Sequence, residues 1–191
     1  MNFKLYKLIP DMTPEAELSK LKFPIGPFVA PENLSSAEFE ALVKTIEEAP
    51  SNYRNLAKRL SSTDLTTTYR EGSWNVQQLY NHVADMQLLH FFRLKKVLTE
   101  NDYKEITLVN IDAWANTHDG VQSSIDDSLL MFEGIAKRFA NLIRSLTPEQ
   151  LELSYYHPIR KITLNQKQAI AMSAWHVKHH YAHLLIATGL E

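Results

Sequence analysis

The stretch TLNQKQAIAMSAWHVKHHYAHLLIATG, from Thr163 to Gly189, decides the architecture. It contains no proline and no glycine before its last residue. Thr163 with Gln166 fits a capping box, and Gly189 fits a C-terminal cap, so the stretch reads as one long helix, helix D. Four of the chain's eight histidines fall inside it, between His176 and His183. Helix positions four apart share a face, with side chains about 6 Å apart. Two such pairs are present, His176 with His180 and His179 with His183. At about 100° per residue, His176, His180 and His183 fall within about 60°, with His179 at the edge. Either pair has the spacing to hold one metal ion, and spacing alone leaves both open.

Three more helical patterns lie upstream. Helix A starts at Ser35 or Ser36, which serves as the cap. Its apolar stripe Phe39, Leu42, Val43 and Ile46 continues through Tyr53, Leu56 and Ala57 to about Leu60, with Pro50 marking a kink or a new first turn. Helix B is capped by Ser73 or Asn75 and runs to about Glu100; its inner stripe is Leu79, His82, Met86, Leu89 and Phe92 or Arg93. Helix C covers about Ser124 to Leu146, with Leu129, Phe132, Ile135, Ala136, Phe139, Leu142 and Ile143 on its buried face. Residues 61–73 read as a loop and 101–123 as a long irregular connection, while 151–163 alternate enough for a small hairpin. Residues 1–34 carry five prolines and read as an extended arm, with Phe23, Ile25 and Phe28 to pack on the body. The expectation is an all-α four-helix bundle: a single domain over residues 35–191 and an irregular N-terminal arm.

Composition narrows the function. The net charge of -2 carries no basic field, so neither nucleic acid nor an anionic membrane is an expected partner. No run of apolar residues is long enough to span a bilayer, and Met1 to Asp11 lacks a continuous apolar core and a small-residue cleavage site. The chain has no cysteine, hence no disulfide and no thiolate ligand; a cytoplasmic setting is the default expectation. Neither a phosphate-binding loop nor a dinucleotide fingerprint is present among its five glycines.

A site in a bundle core needs a ligand from a second helix, and His82 sits on the apolar stripe of helix B between Leu79 and Met86. An unpartnered imidazole there is costly, and a metal or a hydrogen bond would satisfy it. His90, His118 and His157 stand alone and read as ordinary residues.

At this point the sequence resembles a family. Tyr69-Arg70-Glu71-Gly72-Ser73-Trp74, Gln77-Gln78-Leu79 and His82-Val83-Ala84-Asp85 are similar to motifs of the YfiT-type branch of the DinB-like superfamily, a branch of metal-dependent hydrolases and bacillithiol S-transferases. Lys22-Phe23-Pro24-Ile25-Gly26, Asp112-Ala113-Trp114-Ala115 and Ala174 through His183 match further motifs, in order, from about Leu21 to Leu185. The resemblance implies an up-down-down-up four-helix bundle, often dimeric. It also implies that His82, His176 and His180 bind one divalent metal ion. Asn81, Met86 and Thr117-His118 depart from the family pattern without removing a ligand.

Three nitrogen ligands leave coordination positions open, the pattern of a catalytic site; zinc and nickel both suit imidazole. Asp85, three residues after His82, is open to two readings: a ligand-orienting or basic carboxylate, or a solvated one. Arg70, Asp112, Trp114 and His183 are candidates for a substrate pocket, with surface pairing and packing as the alternatives for Arg70 and Trp114. Three functions follow. The first is a metal-dependent transferase joining a low-molecular-weight, bacillithiol-like thiol to an electrophile, and this is the one expected. The second is a metal-dependent hydrolase of a small amide or ester. The third is a non-catalytic metal-binding bundle. A homodimer is expected from the resemblance.

Overall fold

The computed structural model describes residues 13–190; the first part of the arm lies outside the described residues. Eight helices and a two-stranded hairpin follow in the order α1 Pro14–Lys22, α2 Ser36–Ala57, α3 Val76–Thr99, α4 Ile111–Ala115, α5 His118–Gln122, α6 Ile125–Arg144, α7 Pro148–Glu152, β1 Ser154–His157, β2 Ile162–Asn165 and α8 Gln166–Thr188. Helices A to D correspond to α2, α3, α6 and α8.

Their directions follow from cross-helix contacts. Arg144 near the end of α6 reaches Glu40 and Glu47 in α2, while Arg54 of α2 reaches Asp126 and Glu133 near the start of α6, so these two run antiparallel. Asn81 meets Ser128 and Phe91 meets Phe139, so α3 runs parallel to α6. His82 approaches His176 while His90 approaches Ser173, so α8 opposes α3. The bundle is therefore up-down-down-up. Parallel consecutive helices need a long return between them, and residues 100–124 supply it.

Local chemistry sets the ends. Ser35 with Glu38 and Asn75 with Gln78 form capping boxes at the starts of α2 and α3. For the last helix the expected cap is corrected: Asn165 with Gln168 forms the box, two residues later than Thr163 with Gln166. Thr163, Leu164 and Asn165 pair with Tyr156, Tyr155 and Ser154 in the hairpin, so Asn165, the last residue of β2, is where the chain turns into the helix. At the other end Gly189, at φ 66°, closes α8 in the left-handed region. The arm is also corrected, since Thr13 caps a helix with Pro14 in its first turn, where proline costs no hydrogen bond. Pro50 lies inside α2 without ending it, and that helix stops at Ala57 rather than near Leu60. The long connection is not structureless either. It contains α4 and α5, and amides on α3 hold them: Gln78 donates to Ala115 O (3.1 Å) and Asn81 to Gly120 O (2.6 Å).

Two apolar clusters fill the bundle, one around Val43, Leu94, Phe139 and Ile170, the other around Tyr53, Leu79, Phe132 and Leu184. The histidine layer of α3 and α8 lies along their shared flank. The end of the arm is fastened to α8: Trp175 donates to Gly26 O (3.1 Å) and Gln168 to Pro31 O (3.1 Å). Among the described residues no helix is long and apolar enough to cross a membrane.

Candidate metal centre

His82 points from α3 and His176 and His180 from α8, one turn apart, so antiparallel packing brings three imidazoles to one place. Their ligand nitrogens all lie within 4.8 Å of one another. His82 Nε2 and His176 Nε2 are 3.1 Å apart. Ligands held about 2.0–2.1 Å from a tetrahedral ion stand about 3.3 Å from each other, so this edge already has the dimension of a metal site. Burial favours the neutral, lone-pair form. It pushes the His82 pKa down to about 3, with His179 and His183 adding to the effect, and carries His176 and His180 well below the ordinary value. The His176 Nδ1 is buried without a partner.

A hydrogen-bond chain orients His180. The Leu21 carbonyl can only accept, so His183 Nε2 donates to it at 3.0 Å. A neutral His183 then offers an Nδ1 lone pair, which lies 3.4 Å from His180 Nδ1. His180 therefore carries its proton on Nδ1 and keeps the Nε2 lone pair free for an ion, the role that outer-shell partners play at imidazole ligands. Tyr69 stacks on His183 at 3.9 Å between ring centroids and fixes its plane. A second grouping of possible ligands, His179, His180 and His183, shares His180 with the first. In it His183 is already engaged by Leu21, and the ring of His179 stacks on Trp175 (4.4 Å).

The trio opens on a cavity of about 470 Å³. Phe23, Trp74, Met86, Arg93, Leu108, Val109, Ile111, His157, Ile159, Arg160, Trp175 and His179 complete its lining. None of the residues expected in a pocket from sequence is among them. His183 lies behind His180. Asp112 is exposed and uses its carbonyl to accept from Asn116 (2.7 Å). Trp114 is half-buried in α4, and Arg70 donates to Glu71 O (3.0 Å) beside the ring of Tyr69. Asp85 is not on the lining; burial and the nearby Asp119 raise its pKa to about 6. Conversely, sequence reasoning set aside His157, which lines the cavity, and His90, whose ring stands edge-on to His176 at 5.6 Å. Their isolation in the sequence gave no spacing signal. His82 is buried against Trp74 (4.5 Å between centroids), with Met86 beside it on the cavity lining.

The profile of the DinB superfamily matches residues 45–184. The chain belongs to the DinB superfamily. Within that family it is 36% identical over 163 residues to the Halalkalibacterium halodurans protein named "Putative metal-dependent hydrolase BH0277", covering 85% of this chain and 94% of the relative. It is 29% identical to "Putative metal-dependent hydrolase YfiT" of Bacillus subtilis, covering 86% and 92% of the two chains. The solved structure of YfiT from Bacillus subtilis, described as a probable metal-dependent hydrolase with an unusual four-helix bundle topology, superposes with a TM-score of 0.84 at 28% identity, over 90% of this chain and 99% of that one. A mycothiol-dependent maleylpyruvate isomerase has a similar fold, at a TM-score of 0.61 and 14% identity, over 76% of this chain and 60% of that one.

Proposed function

We propose that the protein is a metal-dependent enzyme that holds one divalent ion, zinc or nickel, on His82, His176 and His180. In this reading it transfers a low-molecular-weight thiol to an electrophilic small molecule. The buried, neutral histidine trio supports the ligand set, and the names of the relatives support metal dependence. A divalent ion there would supply a Lewis acid that lowers the pKa of a coordinated water or thiol.

The observation that carries the choice of a thiol is the cavity lining. Among the described residues it holds no carboxylate, serine, threonine or cysteine. The lining thus offers no hydroxyl or thiol nucleophile and no carboxylate base for water. A free thiol, with a pKa of about 8.5, needs far less help to ionise than water at about 15.7. His180, oriented by His183, keeps its lone pair aimed at the centre. Trp74, Leu108, Val109 and Ile111 line the cavity with apolar surface against which the carbon skeleton of a substrate would pack. The thiolate sulfur then bonds to the electrophilic carbon as the leaving group departs with its electron pair; the thiol proton goes to solvent.

The test is to incubate metal-loaded protein with a bacterial low-molecular-weight thiol and a chlorinated nitroarene. Conjugation is expected above the uncatalysed rate. The second reading, hydrolysis of a small amide or ester, is favoured by the relatives' names. It takes over if a panel of thiols gives no conjugation while esters or amides turn over with metal. Metal binding with neither activity would leave a non-catalytic bundle. A homodimer is also proposed, on the family resemblance alone; light scattering that returns the 22.0 kDa chain mass at micromolar concentration contradicts it.

A further inference from the structure

Arg93 stands in the last third of α3, 5% exposed, on the lining of the histidine cavity. Its Nε and Nη2 donate to one atom, the Thr107 carbonyl oxygen, at 3.1 and 2.7 Å. A guanidinium has five N–H donors, so three remain. Among the described residues no aspartate or glutamate pairs with it, although Arg54 and Arg144 both find carboxylates on the surface. The charged groups around it are of its own sign: Arg160, and His157 whenever that ring is protonated. One peptide carbonyl does not neutralise a buried cation, and a buried charge left unpaired is among the costliest features a fold can carry.

The neighbouring lining points the same way. His157 Nδ1 accepts from the Arg160 backbone N–H at 3.4 Å, which places the ring proton on Nε2 and makes that atom a donor. Arg160 adds a second guanidinium on the lining, from the turn between β1 and β2. The Thr107 carbonyl that positions Arg93 is itself held. Thr107 N–H donates to the Tyr103 hydroxyl (2.8 Å), and Ile106 N–H donates to Tyr156 O (3.1 Å), stitching this segment to β1. The result is a fixed set of donors whose other titratable neighbours, Tyr103 and Tyr155, are neutral phenols, and no carboxylate among the described residues is paired with it.

We propose that Arg93, His157 and Arg160 form an oxyanion subsite that takes a carboxylate or phosphate group of the small-molecule substrate. That the other end of this molecule reacts at the histidines rests on the function proposed above; the anion subsite itself does not. A fork-shaped guanidinium suits either planar or tetrahedral oxyanions, held through paired hydrogen bonds.

The experiment uses the full chain without metal, so that coordination of the anion by an ion does not contribute. Binding of benzoate, of the neutral benzyl alcohol and of inorganic phosphate is followed by the fluorescence of Trp74 and Trp175, which line the cavity. Benzoate is expected to bind about tenfold or more tightly than benzyl alcohol, as for a charged hydrogen-bonded pair. The stronger of benzoate and phosphate identifies the oxyanion shape. Arg93→Met should reduce the benzoate preference to about twofold or less, while melting at or above the wild-type temperature, because an unpaired buried charge has been removed. Arg160→Gln, at an exposed position that does not threaten folding, should weaken the preference severalfold. No preference in the wild type, or one unchanged in both variants, overturns the subsite. A lowered melting temperature in Arg93→Met with the preference intact assigns Arg93 a purely structural tie to Thr107 and overturns it as well. Loss of thiol transfer with the benzoate preference preserved overturns only the reaction proposed above.

Discussion

On one wall of the cavity His82, His176 and His180 stand on two long helices whose backbone hydrogen bonds are internal. On the other, Arg93 is met by Thr107 from an irregular segment and by His157 and Arg160 from a hairpin. Each wall has a buried polar residue at its heart, His82 on one and Arg93 on the other, and they solve the cost of burial differently. The histidines become neutral, which is open to imidazole and closed to guanidinium, so the arginine wall keeps its charge and awaits an anion. On the proposals above the first wall takes a cation and the second an oxyanion, and a substrate spanning them would be held at both ends.

The largest effect that would break this contrast is on the histidine side. His180→Ala should lower thiol conjugation by about a hundredfold or more, since an open metal site with two ligands loses its ion. A smaller loss measured in steady-state kinetics would detach the chemistry from the trio. Next comes the relay behind His180. His183→Gln should weaken zinc affinity about 10–100-fold, measured by competition with a chelating dye, while saturating zinc still gives one ion per chain. Unchanged affinity would mean that His180 is oriented by its helix alone.

On the arginine side, Arg160→Gln should raise the KM for an anionic substrate severalfold with kcat nearly unchanged, because an exposed guanidinium contributes binding rather than chemistry. A fall in kcat with constant KM would place Arg160 at the reacting end instead. The smallest effect concerns pH. Burial, with Arg160 and Arg93 nearby, pushes the His157 pKa down to about 4, so the unfolded chain binds this proton first as pH falls below about 6.5. Stability present above that value is lost between about 6.5 and 4. His157→Gln should therefore lose fewer degrees of melting temperature between pH 7 and pH 5 than the wild type. An equal or larger loss would show that His157 is protonated in the folded state.

The two walls also differ in how legible they were. Helical period is a local signal, and His176, His180 and His183 lie within one helix, so their shared face was visible in the sequence. So was His82, because an imidazole on an apolar stripe contradicts its surroundings. Spacing did not separate the His176 pair from the His179 pair; packing puts His176 beside His82 and His179 beside Trp175, which supports the proposed trio. The second wall had no such signal. Position 93 shared the inner stripe with Phe92 as an alternative, and the structure buries Arg93 while leaving Phe92 42% exposed. His157 and Arg160 reach the cavity because the hairpin bridges to the segment after α3, where Ile106 N–H meets Tyr156 O, a contact between residues far apart in the chain. Expectation favoured residues within the family motifs, Arg70, Asp112, Trp114 and His183, none of which is on the lining of the histidine cavity. The hairpin also explains the misplaced cap, since strand pairing took Thr163 before the helix could use it.

The most direct test of the central claim is the metal content of the full chain, purified without chelator or histidine tag, by elemental analysis. The wild type and His179→Ala should each carry about one divalent ion per chain, and His82→Ala, His176→Ala and His180→Ala should each carry less than about a tenth of that. Loss of the ion in His179→Ala with retention in His176→Ala would contradict the account and place the metal among His179, His180 and His183 instead.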